Sequence, residues 1–434
     1  MAKRSKQRKS SGRSENSRLI GRHIDLDISD MAHGGRGLGW HHNKPVFVPY
    51  TLPGESITAE ITVERKNVLF ARGLRLKAAS ADRAAPRCPH FGPGLCWGCH
   101  WQHIDYAAQL LLKRDVLADQ LSRQGRLPDA MIESALRPVR PASARWEYNH
   151  SISLSRDEVG DWGMRRDGGG IEVLGECHIT DPEILDLLTQ LELDFATARR
   201  LTIRRGSDGR MMLVLHVDKE EAPELQTDLP LSVNLVLPDR EPISLIGEAQ
   251  SRFEIAGREF RVTAGAYIRP SVGGIQQLLE EVLRALDLQR EETVLDLYAG
   301  VGIYSAFMAR DAALVTLVES YPPAVTDADV NLSDLENVDV VEGQVETVLA
   351  DIVAAEAQYD VALVDPPSAG LSADTIAWLE RLEVRRLVYV SGDPGSLARD
   401  CRQLASAGFQ LREIQPIDLA PHTHYITAVA RFER

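Results

Sequence analysis

Four of the five cysteines in this chain have the spacing of a metal site. Cys88, Cys96 and Cys99 fall in one short loop, and Cys177 follows in the next part of the chain. Four thiolates complete a tetrahedral sulfur shell around zinc or around an iron–sulfur cluster, and spacing alone does not separate the two metals. No apolar run reaches the ~18 residues of a membrane helix and no secretory signal is visible, so we expect a cytoplasmic protein. Disulfides are rare in that compartment, which favours a metal centre.

A second group of residues has the pattern of a ligand-binding loop. An apolar strand begins at Thr293, contains Asp296, and continues through Tyr298 into the turn Gly300-Val-Gly302. Glycines in such a turn allow the backbone to approach a ligand closely. The pattern alone would also fit a dinucleotide-binding enzyme.

Two further carboxylates are predicted at strand ends. Glu319 ends the second strand, 23 residues after Asp296, which is a suitable distance for a carboxylate that binds ribose hydroxyls. Asp365 ends a later apolar strand and is followed by Pro366 and Pro367. A carboxylate and a rigid backbone are therefore expected at the carboxyl edge of a sheet, where doubly wound folds bind ligands.

The elements that carry these residues are predicted from hydrophobic periodicity. Short apolar and β-branched runs broken by Gly and Pro predict a small five-stranded barrel over 19–78. Residues 105–126 have apolar side chains at helical spacing, and the alternating segments of 146–262 predict antiparallel strands. Alternating strands and helices after 263 predict a doubly wound α/β domain.

Charge is distributed unevenly along the chain. The net charge is -14, but residues 1–150 carry +10 and the remainder carries -24. Residues 1–18 hold seven Lys or Arg and one Glu, so we expect a disordered tail that either neutralises RNA phosphates or only keeps the protein in solution.

The barrel segment resembles a known RNA-binding domain. Gly34-Gly-Arg-Gly-Leu-Gly39, followed by Pro45-Val-Phe-Val-Pro49, resembles the TRAM domain, an OB-like barrel of RNA-modifying enzymes. The resemblance implies that the barrel delivers RNA to an active site. A generic small barrel without a nucleic-acid role is the alternative.

The cysteine loop extends the resemblance to the TRAM-containing branch of the RNA uridine-C5 methyltransferases. Cys88-Pro-His-Phe-Gly and Cys96-Trp-Gly-Cys99 are similar to the iron–sulfur motif of that branch, with seven residues instead of its usual five between the first two cysteines. The resemblance implies a [4Fe–4S] cluster on Cys88, Cys96, Cys99 and Cys177, with structural zinc as the alternative.

The glycine loop and Asp365-Pro-Pro together resemble a class I S-adenosylmethionine (SAM) methyltransferase. This resemblance implies that Asp365 lies at the methyl-transfer site and that Gln344, after the third strand, contacts the adenine. The implied cofactor-binding residues are Arg269, Asp296, Tyr298, Gly300, Gly302, Glu319, Gln344 and Asp365. Arg269 stands where the family has a functional Gln and is a candidate partner of the SAM carboxylate.

Two catalytic positions of the family are substituted. The run Tyr389-Val-Ser-Gly392-Asp-Pro resembles the family's Tyr-Val-Ser-Cys-Asp-Pro, so Gly392 stands at the nucleophile position. Thr427 stands at the position of the general base, which is Glu in the family. Methylation at uridine C5 requires a thiolate that adds to C6 and a base that removes the C5 proton. Cys401, nine residues further along a predicted helix, is expected to be a buried core residue and not a substitute.

The sequence therefore predicts a multidomain α/β protein in four parts. These are a basic tail (1–18), a TRAM domain (19–78), an iron–sulfur loop with a helix and a central β domain (79–262), and a Rossmann-like methyltransferase domain (263–434). The expected partner is RNA, in particular ribosomal RNA, bound through the barrel and the tail by a monomer.

Three functions are consistent with this prediction. The first is SAM-dependent RNA methylation within the uridine-C5 family, with the C5 chemistry in doubt because of Gly392 and Thr427. The second is a non-catalytic relative that binds SAM and RNA. The third is amino-methylation of a base without a covalent enzyme intermediate, using Asp365-Pro-Pro.

Overall fold

The computed structural model describes residues 19–191, 197–219, 227–239 and 241–434. The chain forms two compact units, Met1–Arg83 and Ala84–Arg434. The predicted basic tail, 1–18, lies outside the described residues.

The first unit is a small closed barrel. Its strands are β1 (His23–Met31), β2 (Gly37–His41), β3 (Lys44–Val48), β4 (Ser56–Arg65) and β5 (Val68–Ala78), in the order β1-β2-β3-β5-β4. Ile24, Leu26 and Ile28 alternate with exposed residues on β1 and fill the barrel, as expected for a strand with one buried face. Gly39 is required on β2, because a Cβ there would lie 2.5 Å from the carbonyl oxygen of Asp27. The predicted five-stranded barrel is confirmed.

The second unit begins with the cysteine loop and two helices, α1 (Tyr106–Arg123) and α2 (Asp129–Ala135). The side chain of Asp105 caps α1 by accepting a hydrogen bond of 2.9 Å from the Ala107 amide. Leu117 and Leu121 lie on the buried face of α1. The predicted amphipathic helix is therefore confirmed.

A mixed sheet follows in the middle of the chain. Its elements are β6 (Ser151–Arg156), β7 (Trp162–Arg165), β8 (Ile171–Glu172), α3 (Pro182–Gln190), β9 (Ala198–Arg205), β10 (Met211–Val217), β11 (Leu231–Val236) and β12 (Pro242–Ile246). The strand order is β12-β11-β10-β9-β6-β7-β8. Ile184 and Leu187 of α3 pack with Leu201 and Ile203 of β9, so α3 covers one face of this sheet.

One strand pair of the central sheet corrects the prediction of antiparallel pairing. β10 and β11 are parallel, with Met211 opposite Leu231 and His216 opposite Val236. A parallel pair needs a crossover of about a dozen residues, and the connection between Val217 and Leu231 is long enough. The length of this connection permits the parallel arrangement but does not require it.

The C-terminal part is a doubly wound α/β sheet preceded by a hairpin. Its elements are β13 (Gln250–Ile255), β14 (Arg258–Thr263), α4 (Val272–Leu286), β15 (Thr293–Leu297), α5 (Ile303–Met308), β16 (Leu314–Glu319), α6 (Pro322–Asn331), β17 (Val338–Glu342), α7 (Val345–Ala354), β18 (Val361–Val364), α8 (Ala373–Arg381), β19 (Arg386–Ser391), α9 (Pro394–Ser406), β20 (Gln410–Ile417) and β21 (Thr427–Glu433). The sheet has the order β17-β16-β15-β18-β19-β21-β20, and β21 runs antiparallel to its neighbours. The predicted Rossmann-like architecture is confirmed.

The hairpin of β13 and β14 packs with the C-terminal sheet. Phe253 and Phe260 are fully buried and belong to the same core as Val294 of β15 and Leu317 of β16. The predicted boundary at residue 262 therefore falls within a hairpin whose apolar face is part of the C-terminal core.

A buried ion pair joins α1 to the segment that precedes β21. The Lys113 ammonium lies 2.6 Å from a carboxylate oxygen of Asp418, and both side chains are fully buried. Lys113 also donates to the carbonyl of Ala420 at 3.2 Å, and Gln109 accepts a hydrogen bond from the His422 amide at 2.9 Å. Helix α1 thus fixes the loop that leads into β21.

No helix in the described ranges has both the length and the apolar character needed to span a membrane.

Candidate active site

The predicted ligand-binding residues lie along the carboxyl edge of the C-terminal sheet. β15 is parallel to β16 and β18, and β18 is parallel to β19. Since parallel strands end at the same edge, Tyr298, Glu319, Asp365 and Gly392 leave the sheet on one side. The amide of Gly343 donates to the Glu319 carbonyl at 2.9 Å, which brings the end of β17 to the same edge.

The glycine loop and Glu319 are in direct contact. The amide of Gly300 donates to one Glu319 carboxylate oxygen at 2.9 Å, and the amides of Ser320 and Tyr321 donate to the other at 2.7 and 2.8 Å. Gly300 and Gly302 have φ of 58° and 81°, and a Cβ on Gly302 would lie 2.8 Å from Leu332 Cδ1. Close packing of the loop therefore requires glycine at position 302.

Asp296 is buried beneath this loop with one oxygen available. Its Oδ2 accepts a hydrogen bond of 2.6 Å from Ser305, while its Oδ1 is buried and has no partner among the described residues. Burial raises the pKa of Asp296 to about 7, with the charge of Asp365 as a smaller contribution in the same direction. A buried acceptor without a partner is unusual in a native structure and is suited to a cationic or hydrogen-bonding ligand group.

Asp365 is held by two side chains from distant parts of the chain. One guanidinium nitrogen of Arg269 lies 2.7 Å from each Asp365 oxygen, and the Tyr304 hydroxyl donates to Oδ2 at 3.3 Å. An ionised carboxylate has about four acceptor positions, and these bonds use three of them. Asp365 thus retains capacity for one further donor.

The two substituted family positions lie at the ends of neighbouring strands of the C-terminal sheet. Ser391, the last residue of β19, pairs with Ala428 of the antiparallel β21, so Gly392 directly follows one member of this pair and Thr427 directly precedes the other. Gly392 is exposed, and a Cβ added there would have no heavy atom within 4 Å. The position can accommodate a side chain, but neither residue of this chain supplies a thiol or a carboxylate.

Tyr298 and Gln344 flank the same edge. Tyr298 has φ of 62°, and its hydroxyl lies 3.3 Å from the Thr375 hydroxyl at the start of α8. Gln344 is the exposed residue that precedes α7. Tyr298 comes just before the glycine loop, Gln344 follows β17, and the roles of both residues stay predictions.

The structure brings the four cysteines of the predicted metal site to one cavity of about 470 Å³. Cys88, Cys96, Cys99 and Cys177 all line it, and none is in a disulfide. Burial, with a smaller contribution from the charge of Cys177, raises the pKa of Cys96 to about 11 and that of Cys99 to about 12. The thiols are therefore near one another, in a setting where thiolates need a compensating positive charge.

The cysteine loop is attached to the central sheet by an ion-pair bridge. Glu172 accepts from His90 at 2.9 Å and from Arg166 at 2.7 Å. Within the described ranges, no group of three or more Cys, His, Asp or Glu side chains is arranged to hold a metal ion. The iron–sulfur cluster therefore stays a prediction.

Cys401 is buried in the core and does not have the properties of a catalytic nucleophile. Its exposure is 1%, and burial raises the pKa of its thiol far above the ordinary value. A catalytic cysteine needs a lowered pKa and access to substrate.

Two contacts of the site were not predicted from the sequence: Ser305 with Asp296, and Tyr304 with Asp365. Ser305 and Tyr304 both lie in the first turns of α5, directly after Gly302, so their position in the loop-to-helix motif was the available signal. The Arg269–Asp365 pair joins residues 96 positions apart and had no local signal.

Comparison with known proteins identifies the family. The chain is 31% identical over 430 residues to an uncharacterized RNA methyltransferase of Streptomyces avermitilis, covering 95% of this chain and 99% of that protein. The chain belongs to this RNA methyltransferase family. A second family member, an uncharacterized RNA methyltransferase of Listeria monocytogenes, is 30% identical over 453 residues, covering 94% of this chain and 96% of that protein.

Family models and a solved structure agree with the two units of this RNA methyltransferase. Residues 17–74 match the TRAM domain, and residues 254–403 match the family described as Conserved hypothetical protein 95. The crystal structure of a Pyrococcus abyssi tRNA (uracil-54, C5)-methyltransferase with S-adenosyl-L-homocysteine aligns with a TM-score of 0.69 at 20% identity. The alignment covers 94% of this chain and 100% of that one, and it shows a shared fold.

Proposed function

We propose that this RNA methyltransferase transfers a methyl group from SAM to an RNA base without a covalent enzyme intermediate. The observation that carries the proposal is the composition of the sheet edge around Asp365. A carboxylate is present there, whereas Gly392 and Thr427 supply neither a thiolate nor a general base. The covalent C5 route needs both groups.

The residues along the edge are suited to SAM. The orphaned Oδ1 of Asp296 and the open backbone at Gly300 would hold its amino-acid part, and Glu319 would bind its ribose hydroxyls. Gln344 is the candidate contact to the adenine. SAM, when bound, supplies an electrophilic methyl group. Asp296 and Glu319 would orient it, which gives the positioning on which such a transfer depends.

Asp365 is the candidate substrate-contacting residue. Its remaining acceptor position can take a hydrogen bond from an exocyclic amino group of a base, which orients the nitrogen lone pair. SAM would give up its methyl group to that nitrogen and leave as S-adenosyl-L-homocysteine, and the nitrogen would lose its proton to Asp365 or to water, so no thiolate adduct is needed. The ion pair with Arg269 fixes the orientation of the Asp365 carboxylate.

A non-catalytic role is the second candidate, and the Arg269–Asp365 pair favours it. Both carboxylate oxygens are already engaged by one guanidinium nitrogen, which leaves less of the carboxylate available to a substrate. Under this alternative, the protein binds SAM and RNA and transfers nothing.

We also propose that the substrate is ribosomal RNA, that the protein is a monomer and that it acts in the cytoplasm.

The cysteine cavity is proposed to hold a [4Fe–4S] cluster, with zinc as the alternative. Four free thiols at one cavity match the sulfur ligand set of such a cluster. A cluster there would join the loop at Cys88 to the segment at Cys177, so its proposed role is structural. Iron and sulfide analysis of protein purified without oxygen tests this assignment.

Methyl transfer is tested with labelled SAM and unmodified ribosomal RNA. We expect label in the RNA with the wild type and a loss of at least a hundredfold with Asp365→Asn, since the base is no longer held by a carboxylate. Asp351→Asn, an exposed substitution on α7, is the matched control and should retain activity. Binding of both SAM and RNA without any transfer would refute the catalytic proposal in favour of the non-catalytic one.

A further inference from the structure

The turn that follows Asp365 is held by a buried cluster that the proposed chemistry does not use. The Gly370 amide donates to the Pro367 carbonyl at 2.8 Å, which closes a turn over residues 367–370. The three residues 367–369 are exposed. This turn is therefore the exposed surface that comes next along the chain after the candidate substrate-contacting carboxylate.

Asp400 of α9 anchors this turn from the protein interior. Its side chain is fully buried, and its Oδ2 accepts hydrogen bonds of 2.8 Å from the Leu371 amide and from the Tyr389 hydroxyl. Its Oδ1 accepts from Arg399 Nε at 2.8 Å and lies 2.7 Å from Arg399 Nη2. Arg399 Nη2 also donates to the Ala369 carbonyl at 2.7 Å. The cluster thus joins α9 and β19 to the turn and to the residue that follows it.

The acceptor positions of Asp400 are fully used. An ionised carboxylate has about four such positions. Asp400 receives two donors from Arg399, one from Leu371 and one from Tyr389. Burial raises the pKa of Tyr389, so its hydroxyl stays protonated and acts as the donor. Unlike Asp365, Asp400 therefore has no capacity left for a substrate, and a role in positioning is what its contacts allow.

The turn packs directly on this carboxylate. Gly370 has φ of 80°, and a Cβ there would collide with the carboxylate of Asp400 and the guanidinium of Arg399. Glycine is required both for the positive φ and for the close approach. The backbone of the turn is thereby fixed against α9.

Two prolines connect the turn rigidly to Asp365. Pro366 and Pro367 have φ values fixed by their rings, so the backbone between Asp365 and the turn has few alternative conformations. Tyr389 is in register with Val364, the residue before Asp365, on the neighbouring parallel strand. A shift of the turn is therefore transmitted to Asp365 and is not absorbed by the chain between them.

We propose that Asp400 is a positioning residue for methyl transfer. Together with Tyr389 and Arg399 it fixes the turn 367–370 and, through the two prolines, the position of Asp365 against the target base. The inference rests on the proposed function, because it takes Asp365 to contact that base. Asp400 itself contacts neither SAM nor RNA.

The test measures single-turnover methyl transfer to unmodified ribosomal RNA by wild type and Asp400→Asn. Asparagine keeps the shape of the side chain, but whichever oxygen is replaced, two donors of the cluster lose their acceptor. At saturating SAM and RNA the rate should fall by about tenfold to a hundredfold, because a displacement of about 1 Å is sufficient for such a loss. The affinity for S-adenosyl-L-homocysteine should stay within about twofold of wild type, so the effect is on the transfer step and not on binding.

Asp327→Asn is the matched control, because Asp327 is a buried aspartate with the same kinds of partner. It accepts from Arg261 Nε at 2.7 Å, from the Thr263 amide at 2.6 Å and from the Thr263 hydroxyl at 2.8 Å. These contacts join α6 to β14 and do not involve the turn. The control should lower Tm about as much as Asp400→Asn but should keep the wild-type rate per S-adenosyl-L-homocysteine site. Equal rates for the two variants would overturn the inference and assign Asp400 to the fold alone.

Tyr389→Phe provides a second, milder variant in case Asp400→Asn does not fold. It removes one hydroxyl from the cluster and keeps the buried ring, so the rate should fall by about threefold to tenfold, the value of one hydrogen bond. Hydrogen exchange at the Leu371 amide should become faster, whereas the Gly300 amide, which donates to Glu319, should exchange as in wild type. A wild-type rate in this variant would contradict the inference whatever the exchange result.

The outcomes distinguish this inference from the proposed function. If wild type methylates RNA and Asp400→Asn does so at the same rate, only the inference fails. If wild type binds SAM and RNA but transfers nothing, the proposed function fails and the inference fails with it.

Discussion

Asp296→Asn is predicted to weaken binding of the methyl donor and to abolish one pH-dependent contribution to the stability of the fold. Asp296 is fully buried, accepts a hydrogen bond from Ser305, and leaves Oδ1 without a partner among the described residues. Burial raises its pKa from 3.8 to about 7. Asparagine has the same shape and can accept the Ser305 bond, but it has no charge and does not titrate.

The magnitude follows from the difference between the two pKa values of Asp296. Because the folded-state pKa lies above the unfolded value, the folded protein binds more protons between pH 3.8 and about 7, so stability falls as pH rises through this window. The full loss, reached above pH 7, is about 4 kcal/mol at 1.36 kcal/mol per pKa unit. Between pH 5.5 and 8.5 the wild type loses about 2 kcal/mol through this group, and the variant loses none.

The assay is urea unfolding of wild type and Asp296→Asn at pH 5.5 and 8.5, without oxygen. The free energy of unfolding of the variant, relative to wild type, should increase by about 2 kcal/mol from the lower to the higher pH. Its affinity for S-adenosyl-L-homocysteine should fall by tenfold or more, since a hydrogen bond to a charged group is lost. Asp351→Asn on the exposed side of α7 is the control and should show neither effect. An equal difference between variant and wild type at both pH values would refute the reasoning.

Three other substitutions test separate parts of the account. Lys113→Met leaves Asp418 buried and unpaired, so the free energy of unfolding should fall by about 3–5 kcal/mol. A double variant that also replaces Asp418 with Leu should recover part of this loss. The absence of any recovery would contradict the pairing. Gly392→Cys, whose side chain enters open space at the sheet edge, should form no SDS-resistant adduct with 5-fluorouridine RNA in the presence of SAM, because uridine lacks the exocyclic amino group of the proposed target base; such an adduct would show that uridine occupies the site. Cys177→Ser should lose iron and visible absorbance, whereas Cys401→Ser, in the core, should keep both; equal retention would remove Cys177 from the ligand set.

Local patterns in the sequence were sufficient to predict the elements that form the candidate site. The strand that enters Gly300-Val-Gly302 and the acid at Glu319 occur in consecutive segments of an alternating β and α pattern. Parallel strands end at one edge, so their terminal residues had to meet. The contact between the Gly300 amide and Glu319 realises this expectation.

Contacts between distant segments were not predictable in the same way. Nothing near Arg269 indicates that it binds Asp365, and nothing near Lys113 indicates Asp418 as its partner. Arg204 lies in a run of alternating apolar and polar residues that is ordinary for a strand with one exposed face. Its burial arises only when the cysteine loop and residues 264–270 cover that face, which depends on tertiary packing.

The parallel pairing of β10 and β11 illustrates a third kind of limit. Both strands have the composition of ordinary sheet strands, and adjacent strands in a sequence are most often antiparallel. The length of the connection permitted either arrangement. Only the packed structure determines which one is formed.

The central claim is that methyl transfer to RNA proceeds here without a covalent enzyme intermediate. Its most direct test is to incubate protein purified without oxygen with methyl-labelled SAM and unmodified ribosomal RNA, digest the RNA, and identify the labelled nucleoside by mass. The account predicts a label on an exocyclic amino group of a base. Labelled 5-methyluridine would contradict it, because that product requires a nucleophile that Gly392 does not provide.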